Sequence, residues 1–311
     1  MTASTTRTVS LPSGLAIAPP LPDLMLPVKI RHGVLGFLRN HPTVAIGGAL
    51  LLCLVLIGIF APWLGTVDPT ALAPAKRTRP PSADFWFGTD ALGRDIYSRV
   101  LYGARVSLTV GLSVAVLASL AGLAIGLVSG FVRLADGVIM RVMDGAMAIP
   151  AILFAIMVVT LFGATLQTVI IAITLPEIPR VVRLTRSVVL TVRGEAYVEA
   201  AISMGTPKVM LIIRHILPNI LAPVIVQATF TASAAILIES SLSFLGIGTP
   251  SEIPSWGNIM ADGRNYFQIA PQFIIAPGLL VAVTVLAVNM IGDGLRDLLD
   301  PRFARSVGDV R

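Results

Sequence analysis

Cysteine is all but missing. Cys53 is the single one in 311 residues, so no intrachain disulfide can form and a zinc site of the usual cysteine-based kind is excluded. Charge is scarce as well: Asp, Glu, Lys and Arg make up 13% of the chain, against about 25% in a soluble domain. Aromatic residues are few, at 6%, and are not interleaved with basic residues as on an RNA-binding face, so the net charge of +6 does not point to nucleic acid. A nucleotide site is missing too. A P-loop needs Gly-x-x-x-x-Gly-Lys-Ser/Thr so that backbone amides cradle phosphate, whereas Lys29, Lys76 and Lys208 are followed by Ile, Arg and Val. The three histidines, His32, His41 and His215, are far apart in sequence and sit at basic flanks, which suits interfacial roles better than a metal site.

What the chain has in abundance is apolar length. Hydrophobic residues are 55% of it and its mean hydropathy is +0.85. Runs of about 20 apolar residues are what about 30 Å of hydrocarbon requires of a helix, and a barrel would instead show short alternating segments. The class is therefore an all-α integral membrane protein. Residues 1–28, rich in Ser, Thr and Pro, lack the build of a cleavable signal peptide and read as a flexible cytoplasmic tail. Residues 29–311 read as one transmembrane domain.

Apolar runs place spans at about 43–64, 106–131, 221–244 and 273–291. A charge-free stretch from Gly145 to Pro176 exceeds one span yet is short for two. Charge distribution decides it. With a hairpin turning near Gly163, giving spans at 147–162 and 165–181, sixteen of the 23 Lys and Arg fall on one side and six on the other, Arg105 standing at a boundary. A single span would carry Arg180, Arg183, Arg186, Arg193, Lys208 and Arg214 to the outer side, against the positive-inside rule. Six spans with both termini cytoplasmic are the expectation.

Between the fourth and fifth spans lies a polar segment, 183–218. Its Glu195, Glu199, Lys208 and Arg214 exclude it from hydrocarbon, and Gly205-Thr206-Pro207 divides it into two short helices. Such a helix–turn–helix is either an amphipathic loop on the membrane face or a rigid knob that a partner can push.

The pattern Glu199-Ala200-Ala201-x-x-x-Gly205 with Ile216-Leu217-Pro218 resembles the EAA loop of binding-protein-dependent ABC importer permeases. His215 stands where a hydrophobic residue is usual, and Arg214-His215-Ile216-Leu217-Pro218-Asn219 resembles the peptide and nickel branch of that family. Its C-type permease subunit is also resembled by Phe87-Gly88-Thr89-Asp90 with Leu92-Gly93-Arg94-Asp95, and by Gly103-Ala104-Arg105-Val106-Ser107-Leu108. Glu239 to Gly246 with Pro254-Ser255-Trp256-Gly257, and Gly292 to Asp297 with Asp300-Pro301-Arg302, continue the likeness, which covers nearly everything after residue 30.

The resemblance implies a type I ABC importer permease fold in a bacterial inner membrane, and coupling to an ATPase subunit through Glu199, Ala200, Ala201, Gly205, Ile216, Leu217 and Pro218. It implies a second, homologous permease, two ATP-binding cassette subunits and a periplasmic or lipid-anchored binding protein as partners. ATP and Mg would be bound on those subunits, with no cofactor and no catalytic residue in this chain. Cargo would be di- or oligopeptides; nickel, glutathione or another small solute is the alternative on the same fold, and an ATPase-independent secondary transporter the alternative outside it. Glu239 is the one acid well inside an apolar run, so it either lines the translocation path or bonds hydroxyls such as Ser240, Ser241 and Ser243. Asp144, Asn289 and Asp293 read as packing or interfacial groups, and Arg94 with Asp95 as a local ion pair or a docking contact.

Overall fold

The structure, a computed structural model, describes residues 41–299. The expected tail over 1–28, the basic residues Lys29, Arg31 and Arg39, and the Asp300-Pro301-Arg302 stretch lie outside the described residues.

Helix α1, Pro42–Phe60, starts on a proline whose missing N–H costs nothing there, and it closes in a single 3₁₀ turn, Ala61–Trp63. Trp63 is 75% exposed, in keeping with an interfacial position. Helix α2, Ile96–Phe131, begins ten residues before the apolar run. Asp95 is the reason: its carboxylate accepts from the backbone N–H of Ser98 at 2.9 Å and satisfies the first turn. At 1.5 Å per residue α2 is about 54 Å long, so part of it projects beyond the hydrocarbon.

Helices α3, Arg133–Met147, and α4, Ala151–Phe162, meet at an 85° bend before Pro150. Gly163, at φ +89°, then turns the chain into α5, Leu166–Arg193, which Thr165 caps by accepting from the Thr168 N–H. The span expected to stop at 181 continues as helix to Arg193. The basic residues there do not end it, because Val181, Val182, Val189 and Val192 are buried between them. Two short helices follow, α6, Ala196–Ser203, and α7, Lys208–Leu211.

Pro218 has no N–H to give the carbonyl four residues back, and the chain widens into a π turn, Ile212–Ile216, before α8, Leu217–Phe244. The segment after α8 carries a helix, α9, Trp256–Gly263. Trp256 is wholly buried rather than interfacial, its Nε1–H donating to the Val100 carbonyl at 3.0 Å. Helix α10, Gln272–Leu299, ends the described chain.

Packing centres on α2. Three of its glycines, at 122, 126 and 130, lie against Val181, Thr185 and Val189 of α5, and a Cβ on any of them would come within 2.4–2.5 Å of the facing side chain. Small residues every fourth position let two helices approach closely, which is how packing holds membrane helices together. Both series rise together, so α2 and α5 run parallel. In contrast, Gly111 of α2 meets Ala232 and Ile236 of α8 while Ser107 meets Glu239, so those two run antiparallel. Gly47 against Ala287 and Gly294 against Val44 make α1 and α10 antiparallel as well.

Four described stretches are long and apolar enough to cross a membrane: α1 with its 3₁₀ turn, α2, Lys208–Phe244 and α10; the bent pair α3 and α4 adds a fifth when counted as one broken span. Helix α5 is diluted by Glu177, Arg180 and Arg183. The protein is therefore all-helical and multi-pass. One end of the bundle carries residues 66–95 and α9, and is called the cap end. The other, the knob end, carries α6 and α7.

Candidate functional site

At the knob end, the helix–turn–helix is seated rather than loose. Val198 and Ala201 of α6, Leu211 of α7 and Ile216 of the π turn are buried with Val189 and Val192 of α5 and Ile220 and Val224 of α8. The joint is a left-handed cap: Gly205 has φ +78°, its N–H donates to the Ile202 carbonyl at 2.9 Å, and the Thr206 N–H donates to that of Ala201 at 3.1 Å. Asn219 closes the far side, its amide donating to the Tyr197 hydroxyl at 3.1 Å and to the His215 carbonyl at 2.6 Å. The knob is thus one piece with the ends of α5 and α8.

The seven residues singled out by the sequence divide into two groups. Glu199, Ala200, Gly205 and Pro218 are exposed and Leu217 half-buried, whereas Ala201 and Ile216 face inward and hold the knob to the bundle. The sequence reading passed over an outward apolar rim: Met204 is 80% exposed, with Tyr197, Ile202, Val209 and Met210 also exposed beside it. Their placement within a charged segment was the available signal. An open groove of about 430 Å³ runs between Tyr197, Met204, Pro207 and Arg214. The groove is apolar along Met204 and Met210 and basic at Arg214 and His215.

At the cap end, Arg94 pairs with Asp90 at 2.5 Å and with Asp262 of α9 at 2.8 Å, while Arg99, almost wholly buried, reaches Asp262 at 3.3 Å. Burial pushes the Asp262 carboxyl above the ordinary carboxylate range, against the pull of Arg99 and Arg94. Of the two alternatives for Arg94 and Asp95, a local ion pair between them is not made: Arg94 pairs with Asp90 and Asp262, and Asp95 caps α2. Gly88 and Gly93 adopt φ +78° and +80°, and a Cβ on Gly93 would overlap the Ala73 carbonyl, which explains both glycines of that motif.

Glu239 lies just below this knot and is fully buried. Ser243 donates to it at 2.9 Å and Ser107 of α2 at 3.3 Å. Of the three expected hydroxyls, Ser243 is the one found at bonding distance, and Ser241 donates instead to the Leu237 carbonyl. The Ser243 hydroxyl also accepts from the Thr249 N–H, and Asn258 donates to the Thr249 carbonyl. A chain of hydrogen bonds therefore runs from α2 through α8 to α9. Ser107 belongs to a stretch the sequence had marked, but nothing in the spacing tied it to Glu239.

Residues 118–305 match the family described as binding-protein-dependent transport system inner membrane component, and the chain belongs to that family. Among its relatives, a probable peptide ABC transporter permease of Sinorhizobium fredii is 52% identical over 274 residues, covering 88% of this chain and 94% of that protein. The dipeptide transport system permease DppC of Alkalihalophilus pseudofirmus is 41% identical, covering 92% and 94%. The glutathione transport system permease GsiD of Pectobacterium atrosepticum is 37% identical, covering 93% and 96%. Among solved structures, a chain of the MetNI methionine ABC transporter in inward-facing conformations aligns with a TM-score of 0.55 at 18% identity, over 66% of this chain and 98% of that one, a likeness of fold. The protein is a membrane-spanning permease subunit of a binding-protein-dependent importer.

Proposed function

We propose that this chain imports di- or oligopeptides as one of two homologous permeases, driven by two ATP-binding subunits and fed by a binding protein. The carrying observation is the knob: a rigid, partly apolar surface bearing Glu199, fused to the ends of α5 and α8. ATP shifts the pore between its two states only by contacting the knob differently in each, since equal affinity for both would move nothing. Glu199, Ala200, Gly205, Leu217 and Pro218 meet the ATP-binding subunit, and Ala201 and Ile216 carry the push inward. ATP and Mg stay on those partners. The peptide cargo rests on the relatives' names.

Helix directions favour six crossings. Because α2 and α5 run parallel, the chain must return across the membrane between them, and α4 is the segment available. At 12 residues α4 is about 18 Å long, short of the about 30 Å of hydrocarbon, so the return also draws on residues on either side of it, with the turn at Gly163 on the outer side. With the knob end cytoplasmic, both termini are cytoplasmic and the cap end faces outward. Reporter fusions after Gly163 and after Gly246 are both expected to read as outside; a cytoplasmic reading after Gly163 would contradict the return.

Glu239 acts as a tie that keeps the cap shut against α2 and α8, a reading supported by its complete burial and its hydroxyl partners. Mild-detergent purification of the tagged chain tests the assembly. A second permease and ATP-binding subunits should co-purify with ATPase activity, whereas a chain recovered alone or as a homo-oligomer would sink the proposal.

A further inference from the structure

Helix α3 is attached to the bundle in an unusual way. None of its residues is fully buried; Ala135, Ile139, Met140 and Met143 are half-buried, so apolar packing alone does not lock it. Asp136 takes a bidentate pair from Arg186, Nε at 2.5 Å and Nη2 at 2.7 Å, and Asp144 takes Arg183 at 2.5 Å. The Ser129 hydroxyl, at the end of α2, also donates to Asp136 at 2.5 Å. Beyond the 85° elbow, α4 does pack, Ala155, Val158 and Val159 lying with Val169, Ala172 and Ile173 of α5. The α3–α4 arm thus touches α5 twice, through charge at the knob end and through apolar contact further along.

The two attachments differ in strength. Ion pairs in which both partners keep part of their water contribute little each, and regions with few buried contacts open first. Arg183 and Asp144 are about half exposed, and Arg186 and Asp136 about a quarter. Helix α5, in contrast, is locked to α2 along the glycine stripe. A push arriving from the knob therefore moves α5 and α2 together, and α3 follows only while its carboxylates hold.

We propose that Asp136 and Asp144 are positioning residues for transport: they clamp α3 to α5, so that displacement of the knob also carries the α3–α4 arm. The inference rests on the coupling reading of the knob. In the clamped protein the distance between α3 and α5 stays fixed as nucleotide binds. Without the clamp α5 and α2 move without the α3–α4 arm, ATP is still hydrolysed, and transport fails.

The test uses the complex purified with its partner subunits, in a Cys53→Ser background with spin labels at Leu134→Cys and Leu190→Cys, two exposed positions on α3 and α5. The distance is expected to be the same with and without ATP. In the pair Asp136→Asn, Asp144→Asn it should broaden and change with ATP, with peptide uptake down about tenfold or more and ATPase activity retained. Asp136→Glu, which keeps the carboxylate, should restore the narrow distance and most of the uptake. Normal uptake in the double variant, or a distance that stays narrow in it, would overturn the clamp. Glu199→Lys measured alongside separates the two claims: if it leaves uptake normal, the coupling reading of the knob has failed, whereas the label distances report on the clamp itself.

Discussion

Gly126→Leu is expected to leave no properly assembled protein. A Cβ there would stand 2.5 Å from Cβ of Thr185, 2.8 Å from its Cγ2 and 3.0 Å from the Val182 carbonyl, and leucine adds three more carbons. The backbone of α2 cannot yield, because Gly122 and Gly130 hold the same spacing one turn to either side against Val181 and Val189. Overpacking of an ordinary core costs about 1–3 kcal/mol, and forcing two long helices apart exceeds that. Gly48→Leu is the control, since a Cβ on that glycine of α1 has nothing within 4 Å. Size-exclusion profiles and thermal melts of the solubilised chain should show Gly48→Leu near the parent and Gly126→Leu aggregated or absent. A monodisperse Gly126→Leu with an unchanged melt would mean the stripe is not a packing interface.

Glu239→Ala should be the most damaging single change at the cap. It leaves the buried Ser107 hydroxyl without a partner, at about 1–3 kcal/mol, takes the carboxylate acceptor from Ser243, which keeps its Thr249 contact, and opens a void. Glu239→Gln keeps the length and an accepting oxygen, so it should lie much closer to the parent. The distinguishing readout is proteolysis in the 246–271 segment: cleavage there should rise in Glu239→Ala and not in Glu239→Gln. Unchanged melting and cleavage in Glu239→Ala, with altered peptide uptake, would instead place the carboxylate on the translocation path.

The sequence made the membrane elements plain because hydrocarbon thickness sets their length directly. Helices α1, α2, α8 and α10 each contain the run of apolar residues that announced them. Where the reading stopped short, the cause was a tertiary contact. Helix α5 outlasts its apolar run because partners elsewhere in the chain, Asp136 and Asp144, accept its arginines. The start of α2 depends on one capping carboxylate, and Asp95 looks like any loop acid until its Ser98 contact is seen. Trp256 fits an interfacial belt by type, yet a glycine opposite, Gly103, leaves room for its ring in the core.

The knob was legible as a motif, with its glycine in the left-handed conformation and its charges outside the bundle. Which of its residues point outward was not, since Ala200 and Ala201 are alike in composition and opposite in exposure. The clamp on α3 joins residues 50 and 39 positions apart, a separation at which spacing carries no information.

The central claim is that force enters through the knob. The direct test is peptide uptake and ATP hydrolysis measured together, in vesicles holding the purified complex, for the parent, Glu199→Lys and Gly205→Asp. Gly205 has open space around it, so Gly205→Asp burdens only the φ +78° joint and the exposed face. The account predicts that both variants insert normally while uptake falls about tenfold or more and uptake per ATP hydrolysed falls with it. Uptake at the parental rate in either variant, at normal abundance, would contradict it.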